Sequence, residues 1–220
     1  MKRHPNNSNL TLYYDRTFQD LPIMVEKGPC VLEYLQRLFL AMYLACNQYS
    51  RVFAFRFDLQ FPYSLNIHDF SVENGIMSRF FESFNAKIKH NRLMAFRENP
   101  NAHDTMVRYA WAREVGVVAG HTHYHCVIFL NYEAFRTLGK FDSSQNTIFA
   151  RLMEAWASAL CLSVDDVKGL IEIHQDSACY LLQRDNIKSL EDFFYVASYL
   201  CKAETKVYGD GHHGFGASRN

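Results

Sequence analysis

Residues 51–62, RVFAFRFDLQFP, alternate large apolar and polar side chains with a period of two. Only an extended strand keeps such an order on separate faces. Phe53, Phe55, Phe57, Leu59 and Phe61 share one face, Arg56, Asp58 and Gln60 share the other, and Pro62 closes the run. A face that rich in phenylalanine needs a covering layer. Helical spacing over residues 29–48, and Ile76, Phe80, Phe84 and Ile88 at steps of four within 70–95, supply candidates. A second alternating run, MVRYAWAREVG, ends near Glu114, and residues 115–120 read as a hairpin connection into GHTHYHCVIFL. A helix is predicted over 145–161 and a strand over Val167–His174. A last helix opens at Ser189, with Glu191 and Asp192 in its first turn, and runs to about Ala203. This order predicts an α+β fold, a central antiparallel β-sheet with helices on one face.

The 220 residues, 49% of them hydrophobic and 15% aromatic, suffice for one domain with a sizeable core. Residues 1–10, polar and rich in Asn, read as a disordered lead before a single domain over 11–220, and the glycine-rich end GDGHHGFGASRN reads as irregular. No apolar run reaches the roughly 18 residues of a membrane helix, and no secretory segment follows the first residues, so a soluble, cytoplasmic chain without membrane partners is expected. The six cysteines are scattered singly, which argues for reduced thiols rather than a disulfide framework or a zinc ribbon. Formal net charge is zero, yet seven Lys/Arg stand against three acids between Arg79 and Arg113. That stretch is either a solvated helix face or a phosphate-facing patch.

Three groups of residues carry chemistry. His121, His123 and His125 point to one side of the strand they open, opposite Thr122, Tyr124, Cys126, Ile128 and Leu130. Two imidazoles on one pleated face can chelate a divalent ion, although a lone His-x-His pair is a weak signal. Glu114, on the adjacent strand, would complete a His-His-Glu set; alone it reads equally as an exposed hairpin acid. In FFYVASYLCKAETK, Tyr195, Tyr199 and Lys202 form one helical stripe opposite Phe193, Val196, Ala197 and Leu200. A lysine one turn from a tyrosine can favour its phenolate or neutralise a phosphate, and half-buried tyrosines at a helix edge are the plainer alternative.

Taken together, His123-Tyr124-His125 before an apolar run, Tyr195-x-x-x-Tyr199-x-x-Lys202, and the Phe57–Gln60 strand resemble the motifs of the HUH endonucleases. RVFAFRFDLQFP, the HYH strand, YLCKAETK and the closing GFGASR more closely resemble the inovirus (filamentous phage) replication-initiator family, including prophage proteins of the YagK/YfjJ type, over roughly residues 10–220. The resemblance implies a ferredoxin/RRM-like core with a catalytic tyrosine helix, and a rolling-circle initiator that nicks single-stranded or origin hairpin DNA. It implies Mg2+ or Mn2+ on His123, His125 and Glu114, although that donor set by itself suits Zn2+ at least as well. It also implies attack by Tyr199 or Tyr195 with help from Lys202, a 5′-phosphotyrosine intermediate, and DNA contacts from Lys206, Arg56 and Gln60. No P-loop is present, so a host helicase and polymerase are expected partners in a bacterial cytoplasm. Two rivals are a transposase of the same fold and a catalytically idle regulator that binds DNA hairpins.

Overall fold

The phenylalanine-rich strand lies in the interior of the sheet, paired along both of its edges. The computed structural model describes residues 2–62, 73–116, 121–140, 146–173 and 179–219. In chain order, β1 (Lys2–His4), β2 (Asn7–Tyr13), β3 (Thr17–Phe18), β4 (Leu21–Pro22) and β5 (Cys30–Val31) precede α1 (Leu32–Gln48). Then come β6 (Arg51–Gln60), α2 (Glu73–Glu98), β7 (Arg108–Val115), β8 (Thr122–Asn131) and α3 (Ile148–Leu160). The short β9 (Ile171–Glu172), β10 (Cys179–Gln183), α4 (Ile187–Ala197) and β11 (Phe215–Ala217) complete the described elements. The main sheet is antiparallel in the order β10-β6-β8-β7-β11, with β9 also on β6. The α+β expectation holds.

Both faces of this sheet are covered, which corrects the expectation of helices on one face. Phe53, Phe55, Phe57 and Leu59, with Tyr124, Cys126, Ile128 and Leu130, pack under Phe80, Phe84 and Ile88 of α2 and Leu152 and Trp156 of α3. On the other face Val52, Ala54, Ala110, Ala112, Val127 and Phe129 form a second apolar patch. Leu35, Leu38 and Met42 of α1 and Phe193 and Phe194 of α4 cover it. Each such large side chain contributes roughly 1.5–3 kcal/mol when withdrawn from water. Along β6 and β8 the second face is therefore apolar at Val52, Ala54, Val127 and Phe129 and polar at Arg56, Asp58, Gln60, His123 and His125. Alternation along β6 displays its polar half, while the small residues of the other half hide the second core.

Local chemistry fixes several ends. The Thr147 side chain accepts from Ala150 N at 3.1 Å and caps α3, which stops at Cys161 in the left-handed region. Asn186, rather than Ser189, caps α4, so that helix starts earlier than expected. Ser189 instead donates to the Asn186 carbonyl at 2.7 Å.

Residues 2–13 are ordered as a hairpin, which overturns the disordered lead: Lys2 faces Leu12, and Leu12 faces Val31 of β5. Thr11 N donates to Glu33 Oε2 at 2.9 Å, so polar composition here marks an exposed hairpin pinned to α1. The C-terminal stretch is not wholly irregular either, because Phe215–Ala217 pairs with β7 as the edge strand. Gly216 is required there, since a Cβ at that position would overlap the Trp111 indole. The strand expected over Val167–His174 shrinks to a 3₁₀ turn at Asp165–Val167 followed by β9. His174, and residues 117–120 of the hairpin connection, lie outside the described residues. All six cysteines are free; four are buried, while Cys161 and Cys179 are exposed. No helix among the described residues is long and apolar enough to cross a membrane.

Candidate metal and tyrosine site

The polar half of the second face gathers around two rows of the sheet. In one row Gln60 of β6, His123 of β8 and Glu114 of β7 stand side by side; in the next row stand Asp58, His125 and Ala112. Register alone thus brings two imidazoles and two carboxylates together, as residues directly opposite on antiparallel strands lie about 5 Å apart. His123 Nε2 and His125 Nε2 are 3.2 Å apart, and Glu114 Oε2 is 3.4 Å from His125 Nε2. One ligand atom from each of Glu114, His123 and His125 lies within 4.8 Å of the others. His121, exposed just before β8, is outside this cluster, and its backbone oxygen accepts from Gly116 N.

Behind the cluster sits a partner that the sequence alone did not assign. His125 Nδ1 is 2.7 Å from Asp58 Oδ1, in the carboxylate–histidine arrangement that orients metal-ligating imidazoles and leaves Nε2 for the ion. Burial, followed by the neighbouring His125 charge, pushes the His123 imidazole down, toward its neutral, ligating form. Burial by itself would push the Glu114 carboxyl up. Its contacts with His125 and the cations Lys206 and Lys202 outweigh this and hold it well below the usual carboxylate range. Two imidazoles and an ionised carboxylate fit a divalent cation. Lys202 Nζ, 2.8 Å from Glu114 Oε2, and Lys206 Nζ, 2.7 Å from Oε1, already occupy both oxygens, so an ion there would compete with Lys202.

The tyrosine segment crosses above this cluster. After Ala197 the chain tightens into a 3₁₀ turn, Ser198–Cys201. The Ser198 hydroxyl donates to the Tyr195 carbonyl at 2.7 Å and accepts from Met24 N at 2.8 Å, drawing the last turn in. Side chains three apart eclipse in a 3₁₀ helix, which stacks Lys202 over Tyr199 and swings Tyr195 off the stripe. Lys202 Nζ donates to the Tyr199 hydroxyl and lies 3.6 Å from its ring centroid. The same ring meets His125 edge-on at 5.2 Å and carries the Arg56 guanidinium at 4.8 Å. Tyr195 instead donates to Glu26 Oε2 at 3.2 Å and is not part of this group.

The three expected DNA contacts fare differently. Lys206, with a fully buried side chain bonded to Glu114, is not available to DNA; it is a buried counter-ion. Burial pushes its ammonium down, and Glu114 offsets part of that. Thr205, in the left-handed region at φ 64, makes the bend that returns Lys206 to the carboxylate already held by Lys202. Arg56 is mostly buried against Tyr199; its Nε lies 3.9 Å from Asp58 and has no hydrogen-bond partner among the described residues. Gln60, at the rim, donates to Glu172 at 3.0 Å, and its carbonyl accepts from the Trp156 indole.

Residues 13–218 match the model of the YagK/YfjJ C-terminal domain. The chain belongs to this family. Among its relatives are two uncharacterized proteins of Escherichia coli (strain K12). YagK is 31% identical over 200 residues, which cover 87% of this chain and 95% of YagK. YfjJ is 33% identical over 153 residues, 67% of this chain and 73% of YfjJ. No solved structure matches. The YagK/YfjJ match spans every element that builds the site, from the β5 flank beneath Lys202 to the edge strand.

Proposed function

We propose that this YagK/YfjJ-family chain is a metal-dependent endonuclease that nicks single-stranded DNA and joins it to Tyr199, in the manner of the HUH and inovirus replication initiators it resembles. One observation carries the reading: the hydroxyl of Tyr199 is held by Lys202, and its ring packs on His125 of the Glu114–His123–His125 cluster. Packing alone has no use for a buried lysine shared between a phenol and a glutamate. Nucleophilic attack has, because a phenol with an ordinary pKa near ~10 needs a cation to stabilise its oxyanion.

Glu114, His123 and His125 would hold Mg2+ or Mn2+, which when bound draws charge from the scissile phosphate and the departing oxygen. The protein's own groups account for the rest. Asp58 keeps the His125 ring turned with Nε2 inward, and Lys206 keeps Glu114 ionised. Lys202 stabilises the Tyr199 phenolate. The Tyr199 oxygen forms a bond to phosphorus as the phosphorus–O3′ bond breaks. The phenolic proton leaves to solvent, and the O3′ takes one up. The products are a 5′-phosphotyrosine and a free 3′-hydroxyl that a polymerase can extend, with a host helicase opening the duplex in a bacterial cytoplasm.

Incubation with 3′-labelled, randomised single strands and Mn2+, followed by a denaturing gel, tests this. A protein-linked label that the His123→Ala/His125→Ala variant does not form is expected. A wild type that binds these strands yet never retains label overturns the nuclease reading in favour of a binding module.

A further inference from the structure

The closing motif GFGASR plays no part in the site above, yet the fold spends several specific contacts on placing it. Gly216 lets β11 lie on the Trp111 indole. Ser218 then exchanges two bonds with Tyr109, its N–H to the carbonyl at 2.9 Å and its Oγ accepting from the amide at 3.1 Å. This clamp presents Arg219 at the sheet edge. Arg37 of α1 comes to the same place: its guanidinium lies 5.6 Å from the Phe215 ring centroid and donates to the Phe215 carbonyl at 3.5 Å. Arg37, Leu40, Ala217, Ser218 and Arg219 line a pocket of about 320 Å³, with no carboxylate among its described lining residues. Among the described residues neither arginine makes an ion pair. Burial and then the Arg219 charge push the Arg37 guanidinium down, as expected for two cations sharing one depression.

We propose that Arg37 and Arg219 form a second, phosphate-binding site at the sheet edge, which takes a backbone phosphate of a bound nucleic-acid strand. The planar Arg37 guanidinium, held in advance by a ring and a carbonyl, suits bidentate phosphate binding, and the exposed Arg219 can close on the same anion. The pocket is separate from the tyrosine site. Ala217 faces Ala110, and Glu114 lies four residues further along β7, about 14 Å away. A strand reaching both would be gripped a few nucleotides from the point of attack. The source of the phosphate rests on the DNA reading above; the anion chemistry does not.

The test uses fluorescence anisotropy of a labelled single strand in EDTA, where cleavage is suppressed, across a salt series for the wild type, Arg37→Gln and Arg219→Gln. Each variant is expected to bind roughly 3–10-fold more weakly, with the log–log salt slope reduced by about 0.7, as for one lost phosphate contact on a single strand. A second arm measures the rise in melting temperature with inorganic phosphate. If phosphate stabilises only the wild type while the oligonucleotide slopes coincide, the anion site stands and free phosphate is its ligand. If neither arm separates the variants from the wild type, the proposal is wrong. Arg219 is exposed, so Arg219→Gln should melt like the wild type and leave the comparison readable. Adduct formation plays no part in either arm, so loss of the nicking reading would not be mistaken for loss of this one.

Discussion

His125 Nδ1 and Asp58 Oδ1 face each other at 2.7 Å across adjacent strands, in the row of the sheet next to the one that carries His123 and Glu114. The bond fixes both the tautomer and the orientation of the ring whose Nε2 faces the cluster. Asp58→Ala is expected to weaken Mn2+ binding roughly 10–100-fold, the usual cost of losing such a partner. Calorimetric titration checks this; unchanged affinity would remove Asp58 from the site.

Lys206 has no exposed side-chain surface, and its ammonium is bonded to Glu114. Lys206→Met leaves a buried carboxylate with fewer counter-charges and should cost about 3 kcal/mol, read as a lower urea midpoint. Adding Glu114→Gln to that variant should return part of the loss. A Lys206→Met protein as stable as the wild type would place this lysine in solvent.

Gly216 has no room for a methyl group above Trp111. Gly216→Ala should lower stability by about 1–3 kcal/mol through overpacking, and the Trp111→Leu background should relieve most of that. Thermal denaturation of the single and double variants measures the coupling. Additive losses would contradict the close approach.

The core was largely legible in the sequence, because period-two runs such as Phe53–Leu59 and four-residue steps such as Phe80–Phe84 record burial directly. The His123–His125 pair and Glu114 were legible for the same reason: alternation assigns a face, and a hairpin brings neighbours together. Asp58 was on the right face of its strand, but only cross-strand register sets it against His125. Lys206 read as a solvent cation because nothing local announces the bend at Thr205 that buries it. Tyr195 and Tyr199 read as one stripe because the spacing argument assumes α-helical winding. The Ser198 hydroxyl tightens that turn and parts them. The small residues Ala54, Ala110 and Ala112 concealed a second core that depends on the helices laid over them.

A bound divalent ion stabilises the folded chain by mass action, about 2.7 kcal/mol at one hundred times the dissociation constant. Mn2+ should therefore raise the melting temperature of the wild type, EDTA should reverse the rise, and His123→Ala/His125→Ala should not respond. An equal response from that variant would put the ion elsewhere.

Peptide mapping of the DNA-linked protein after nuclease trimming tests the assignment of the nucleophile most directly. Tyr195 and Tyr199 share the tryptic peptide Ser189–Lys202, so fragment-ion sequencing of that peptide is needed. The phosphonucleotide is expected on Tyr199, to remain in Tyr195→Phe, and to vanish in Tyr199→Phe. Label on Tyr195, or an adduct that survives Tyr199→Phe, would contradict it.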